Sequence, residues 1–199
     1  MQITADMIKA LRAETNAGVL DCRRALQESD GDFQKAVEWL REKGMATAAN
    51  RADRVASAGM IELYSHGSGR VGVMVEVNCE TDFVARSQQF RTLAHEIALQ
   101  IAANSPRYVK PDDIPASELE QEVAKARARG KEDGKTGPVV DKIVEGYVDK
   151  YKDEVCLLRQ TYIRDESMTV EKLIMQNVAA IGENLLVRRF RRWELGENA

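Results

Sequence analysis

Few residues in this chain are equipped for metal binding or nucleophilic chemistry. His66 and His95 are the only histidines, and neither has a Cys or carboxylate at a spacing that suggests zinc. Cys22, Cys79 and Cys156 lie far apart and are odd in number. That pattern fits reduced, partly buried thiols in a cytosolic protein rather than a disulfide framework. No G-x-S-x-G string and no Cys/His family signature is present. Carboxylates are plentiful, but their pattern is that of solvated helix faces.

Two strings imitate nucleotide-binding loops. Gly67-Ser68-Gly69-Arg70-Val71-Gly72 fits G-x-G-x-x-G, but it lies before a strand. A dinucleotide fingerprint follows a strand and opens a helix, so that phosphate meets the helix N-terminus. These glycines instead read as a hairpin turn. Gly130 to Thr136 resembles a P-loop, yet it is one residue short and follows no apolar strand. It reads as a polar turn.

One basic run is interleaved with aromatics: Arg188-Arg189-Phe190-Arg191-Arg192-Trp193. Arginines bind phosphate and aromatics stack bases, so a nucleic-acid strand is one reading. The other is a strand whose arginines meet acidic residues of neighbouring helices or of another subunit. Charge favours the second. Lys plus Arg is 29 and Asp plus Glu is 32, a net charge of −3, which disfavours a protein held to nucleic acid by bulk positive charge.

The most informative stretch is Val75-Glu76-Val77-Asn78-Cys79-Glu80-Thr81-Asp82-Phe83-Val84-Ala85-Arg86. A strand ends here and a helix begins, with Thr81 or Asp82 suited to cap it. Two readings stay open. Phe83 can fold into the core behind the cap, which residue type alone slightly favours. Alternatively it projects from a tight strand-to-helix corner as an anchor for a partner.

These residues must be held by elements that hydrophobic periodicity outlines. Ile3, Met7, Ile8 and Leu11 make a short amphipathic helix, and Leu20, Cys22, Ala25 and Leu26 belong to a second. Asp32 can cap a third carrying Phe33, Ala36, Val37 and Leu40, with Gly44 placed to stop it. Three short helices make a miniature bundle. Met45 to Ala58, rich in Ala, Arg and Asp, reads as a solvent-spanning connector helix, with a domain boundary near residue 54.

At Gly59 the period changes to two. Ile61 and Leu63 alternate with Glu62 and Tyr64, and Val71, Val73, Val75 and Val77 share one face of a second strand. Phe90, Leu93, Ala94, Ile97, Ala98 and Ile101 then form an amphipathic helix suited to pack on that hairpin. Ser117 can cap a charged helix to about Gly130. Pro138 opens another, in which Val140, Ile143, Tyr147 and Tyr151 recur. This mostly polar pair is expected to project from the body. Cys156 to Ile163 suggests a short strand, Thr169 caps a helix through Ile181, and Leu185 to Leu195 closes the chain as a strand.

The sum is an α+β fold: residues 1–53 as three-helix bundle plus connector, and 54–199 as a core with a small, mainly antiparallel sheet. With 199 residues, 44% of them hydrophobic and 31% charged, the chain has globular composition and enough length for a core without disulfides. Its first residues carry charges throughout, unlike a signal peptide, and no apolar run approaches the roughly 18 residues of a membrane span. A soluble, cytoplasmic protein is expected.

Several of these motifs, in the same order, resemble the bacterial elongation factor Ts family, the guanine nucleotide exchange factors for elongation factor Tu. They are Leu11-Arg12 with Thr15-Asn16-Ala17-Gly18; Asp21-Cys22-Arg23-Arg24-Ala25-Leu26; Gly31-Asp32 with Lys35-Ala36-Val37; Val75 to Val84; and Ile181-Gly182-Glu183-Asn184 followed by Val187-Arg188-Arg189. The resemblance runs over nearly the whole chain. It implies an N-terminal bundle similar to ubiquitin-associated domains and a dimerisation-type α+β core.

The resemblance also implies a function with no catalytic residue and no cofactor. Thr81, Asp82, Phe83 and Val84 would intrude on elongation factor Tu·GDP and dislodge its Mg2+, so that GDP leaves and GTP can bind. Arg12, Val19 and Leu20 match contact positions of the bundle, and Ile181 and Gly182 match contacts of the core. The length is similar to short members of the family, which act as homodimers, and no direct contact with nucleotide, nucleic acid or membrane is expected.

Two positions depart from the family pattern. Asn16 stands where many members have Gly, and Asn also tolerates positive φ. Arg191 stands where some short members place a Cys that links subunits, which removes a covalent dimer at that point. The rival classes are a nucleic-acid module using residues 188–193 and a peptide adaptor using the N-terminal bundle.

Overall fold

A computed structural model describes residues 3–15 and 17–197. The turn expected at Asn16 lies outside the described residues. The fold is α+β, and its contacts group into two compact units. One unit comprises residues 1–61, 76–94 and 172–187; the other comprises 62–75, 95–171 and 188–199.

The first unit holds the predicted bundle: α1 (Ala5–Thr15), α2 (Val19–Glu28) and α3 (Phe33–Ala49). Their inward faces bring Leu11, Cys22, Ala25, Leu26, Ala36 and Leu40 into one core, with Ile3, Met7, Ile8, Phe33 and Val37 packed around it. Asp32 caps α3 as expected, its Oδ1 accepting the Lys35 N–H at 3.1 Å.

Gly44 does not stop that helix. The helix crosses it and ends at Ala49, and turns follow at 50–53, so the connector contains no helix of its own. Gly44 serves a close approach instead. A Cβ there would lie 3.0 Å from the Cβ of Ala179, on the later helix α8 (Val170–Ile181).

β1 (Ala58–His66) and β2 (Val71–Cys79) form the hairpin, closed by the Arg70 N–H donating to the His66 carbonyl at 3.0 Å. Gly67, Ser68 and Gly69 all adopt positive φ in the turn, so the G-x-G-x-x-G string is hairpin chemistry. β5 (Leu186–Glu194) lies on the other side of β2, giving the order β1-β2-β5. The Leu195 N–H donates to the Arg70 carbonyl at 2.8 Å, so the end of β5 meets the start of β2 and the two run antiparallel.

All four valines of β2 are buried, as are the six apolar residues of α5 (Gln88–Asn104) singled out above. β1 keeps its alternation with the polar set on the covered side. The His95 Nδ1 of α5 lies 2.9 Å from the Glu62 Oε1, and its ring meets that of Tyr64 edge-on. Ile61 and Leu63 face water, Leu63 being 70% exposed.

The second unit carries α6 (Ala116–Glu132) and α7 (Pro138–Val155), which pack through Ala126, Val140 and Val144. Its helix ends differ from expectation. Pro115, not Ser117, occupies the N-cap, and α6 runs past Gly130 because that glycine sits against Val140. Val144 takes the inward position that the pattern assigned to Ile143, which is partly exposed.

Cys156 to Ile163 is not one strand. Cys156 bridges to Tyr108, a 3-10 turn spans Leu157–Arg159, and only Thr161–Tyr162 (β3) pairs with β4 (Asp165–Thr169). The buried amides of Gln100 and Gln160 explain the break. They bond each other at 3.2 Å and take up the Glu154 and Thr161 carbonyls and the Ile163 N–H, groups a ladder would otherwise pair. α8 (Val170–Ile181) follows directly on Thr169 and buries Val170, Ile174 and Val178.

Candidate functional site

The stretch at the end of β2 builds a sharp corner. Thr81 has extended backbone, and its Oγ1 accepts the Val84 N–H at 3.3 Å, capping the one-turn helix α4 (Asp82–Ala85). Val84 and Ala85 turn inward and are buried. Thr81 and Asp82 are exposed, and Phe83 is 85% exposed. The buried reading of Phe83 is therefore overturned: Val84 supplies the apolar anchor and the phenyl ring stands in water. Leaving most of a phenylalanine exposed forfeits about 1.5–3 kcal/mol of burial.

A short helix of this kind has no stability of its own. The turn after α8 supports it. Gly182 has φ +90°, and its N–H donates to the Val178 carbonyl at 2.9 Å, reversing the chain at the helix end. Two polar side chains follow. The Glu183 Oε2 accepts the N–H groups of Glu80 and Thr81, both at 3.1 Å, and its Oε1 accepts the Thr81 hydroxyl at 2.7 Å. The buried Asn184 donates its N–H to the Glu80 Oε1 at 2.7 Å, and its amide to the carbonyls of Ala52 at 3.1 Å and Arg54 at 2.7 Å. The Arg54 guanidinium lies 3.6 Å from the same Glu80 carboxylate.

Beneath the corner, the Cys79 thiol donates to the Thr81 carbonyl at 3.2 Å. Burial first, and then the charge of Glu183, push that thiol above its ordinary value, so it stays protonated and a donor. All three cysteines are free and buried.

Ile181 and Gly182 are half-buried and adjoin the brace, so the structure brings them together with residues 81–84. Arg12 lies in the last turn of α1, and Val19 and Leu20 in the first turn of α2. The short connection between these helices places all three at one end of the bundle. Arg12 and Val19 are exposed, and Leu20 is 80% exposed although its helix buries Cys22, Ala25 and Leu26 on the inner side. Glu183 and Asn184 were missed as site residues. The positive-φ glycine before two polar residues was the available signal, but their partners lie 102 or more residues away.

Other features offer less. Among the described residues, no group of three or more His, Cys, Asp or Glu could hold a metal ion, and no helix is long and apolar enough to cross a membrane. A groove of about 460 Å³ runs between the bundle and α8, and three of its charged residues are engaged: Lys43 pairs with Asp21 at 2.5 Å, and Arg51 donates to the Val178 carbonyl at 3.2 Å. In β5, Arg192 pairs with Glu194 at 2.6 Å and Glu197 at 2.9 Å, acidic residues of its own strand and the turn after it rather than of a neighbouring helix or another subunit.

The site therefore offers an exposed aromatic ring on a braced corner, with a carboxylate beside it. An exposed aromatic held in this way has the character of an interface anchor. The family model described as "Elongation factor TS" matches residues 23–197. The chain is 50% identical to elongation factor Ts of Carboxydothermus hydrogenoformans, over 98% of this chain and 90% of that protein. It is equally identical to elongation factor Ts of Heliobacterium modesticaldum, over 98% of this chain and 91% of that one. The same protein of Caldanaerobacter subterraneus is also 50% identical, over 98% of both chains. With matches of this extent, the chain belongs to the elongation factor Ts family, whose members serve translation elongation.

Proposed function

We propose that the chain is a guanine nucleotide exchange factor that binds elongation factor Tu·GDP, disturbs its Mg2+ site and releases GDP so that GTP can bind. The carrying observation is Phe83, 85% exposed on a corner fixed by Glu183 and Asn184. A GTPase binds nucleotide and Mg2+ together, the metal neutralising phosphate charge. Inserting Phe83 near that metal, with Asp82 beside it, favours the nucleotide-free state. Linkage then makes nucleotide weaken the partner by the factor with which the partner weakens nucleotide. No bond is made or broken, so the protein is not an enzyme.

The residues divide the work. Phe83 and Asp82 reach the partner, Thr81 caps their helix, and Val84 anchors it from within. Arg12, Val19 and Leu20 form a second contact surface, and Ile181 and Gly182 a third beside the corner. In functional terms, residues 1–53 act as a docking module and 54–199 as the core that carries the wedge. The protein works in the cytoplasm, without direct contact to nucleotide, nucleic acid or membrane.

A homodimer is part of the same reading. The exposed apolar side chains Leu63, Met74 and Trp193 on the strands support it, since a sheet face of this kind is normally covered. Arg191 in place of a cysteine makes that dimer non-covalent.

Release of labelled GDP from elongation factor Tu, with and without this chain at fixed Mg2+, tests the function. Marked acceleration that Phe83→Ala reduces strongly but measurably is the expected result. No acceleration by a folded sample would exclude exchange.

A further inference from the structure

We propose that Glu183 is a positioning residue for exchange: it sets the shape of residues 80–84 and so determines where Phe83 enters the partner. The inference rests on the exchange-factor reading above.

The contacts form a relay. Past Cys79 the chain leaves β2, and the Glu80 and Thr81 N–H groups turn to one oxygen of Glu183. Charged acceptors make the stronger hydrogen bonds, and two donors converging on one carboxylate oxygen fix both peptide planes. The other oxygen takes the Thr81 hydroxyl proton at 2.7 Å. That orients the hydroxyl so that a lone pair faces the Val84 N–H, the bond that caps α4. From Glu183 to Thr81 to the helix, each link constrains the next, and Phe83 rides on the last.

Asn184 anchors the relay, tying the same turn to Glu80 and to the Ala52 and Arg54 carbonyls. The hydrogen bonds of Glu183 go to the backbone and the hydroxyl of the corner, not to the Phe83 ring. Its effect on exchange must pass through the corner.

Glutamine offers a discriminating replacement. Its carbonyl can keep both backbone N–H groups, and its amide can donate to the Thr81 hydroxyl, which has a lone pair to spare. Alanine removes all three bonds.

The test is a double-mutant cycle on stimulated GDP release, measuring both the maximal rate and the chain concentration giving half of it. Glu183→Ala is expected to lower the maximal rate about tenfold or more, because small misplacements of a positioned group are costly. Its half-saturating concentration should change far less. Glu183→Gln should stay within about threefold of the parent rate. In a Phe83→Ala background, Glu183→Ala should add almost nothing.

An equal factor in both backgrounds would overturn the inference, as would a glutamine variant no better than alanine. If Glu183→Ala does not fold, Glu183→Asp keeps the charge, draws the carboxylate back by one methylene, and must show the same non-additivity. Failure of the exchange reading itself would appear separately, as a folded parent chain that does not accelerate GDP release; a Phe83→Ala single variant with the full parent rate would leave no wedge to position and would overturn the role of Glu183.

Discussion

Glu183 in the first unit and Glu118 in the second are both glutamates on which several donors converge, and they do different work. Glu183 accepts two backbone N–H groups and one hydroxyl from a five-residue corner, and the bulkiest side chain of that corner remains in water. Glu118, in α6, accepts the hydroxyls of Tyr108 and Tyr151 and the Arg107 guanidinium. Around that cluster Ile114, Val155 and Cys156 are buried. A carboxylate that holds backbone dictates the shape of a segment and leaves its side chains free to meet something else. One that holds side chains consumes them in packing. On the exchange-factor reading the first arrangement serves a surface offered to a partner; the second serves the cohesion of a helical pair.

The contrast can be broken most forcefully at Phe83. Phe83→Ala should cut stimulated GDP release about 30-fold, the scale of a buried interface anchor of 2 kcal/mol or more. Its effect on stability should stay within about 0.5 kcal/mol, because the ring is exposed. A melting temperature that fell in step with exchange would return Phe83 to the core.

Glu118→Ala should do the reverse. It should lower stability by about 1–3 kcal/mol, or roughly 2–10 °C in thermal unfolding, with the maximal exchange rate unchanged. A comparable loss of exchange would mean that the helical pair takes part in binding.

Leu20→Ala sharpens the comparison on the bundle. About 1 kcal/mol of interface energy corresponds to a fivefold rise in the half-saturating concentration, and the maximal rate should hold. A titration of exchange against chain concentration separates the two.

Acid should expose the smallest difference. The hydrogen bond from Tyr151, opposed by burial and joined by those of Tyr108 and Arg107, holds the Glu118 carboxyl below its usual value. Its contribution is complete above the unfolded carboxylate value and disappears as pH falls through the lower, folded value. Melting curves of the parent and Glu118→Gln should therefore converge as pH drops, and a constant gap would show that the charge is not what Tyr151 recognises.

Much of this was legible in the chain. The six apolar residues of α5 recur at helical spacing and are all buried, because one face of that helix supplies core along its length. The cap at Thr81 was also legible, since a threonine three residues before Val84 can satisfy only local donors. Long-range partners were not. Gly44 looked like a helix stop because its true neighbour, Ala179, is far along the chain. Cys156 to Ile163 looked like a strand because its apolar residues carry no sign that Gln100 and Gln160 pair behind them. At Phe83, residue type leaned slightly the wrong way: an aromatic beside a cap more often closes a core, and the outward anchor stood as the alternative until the resemblance to a family favoured it.

The hold of Asn184 on the Ala52 and Arg54 carbonyls has a consequence for how a partner would be gripped. Composition makes the segment after α3 look like a solvent-spanning connector helix; as the turns it really forms, it would act as a tether if left loose. A tether lets a second contact form at an effective concentration set by its length, and each added residue dilutes it. Pinned at two carbonyls, these residues act as a strut. On the exchange-factor reading, the docking surface of the bundle and the wedge at Phe83 then engage together, with little orientational entropy left to lose. Releasing the strut would leave every contact residue in place and still weaken the grip.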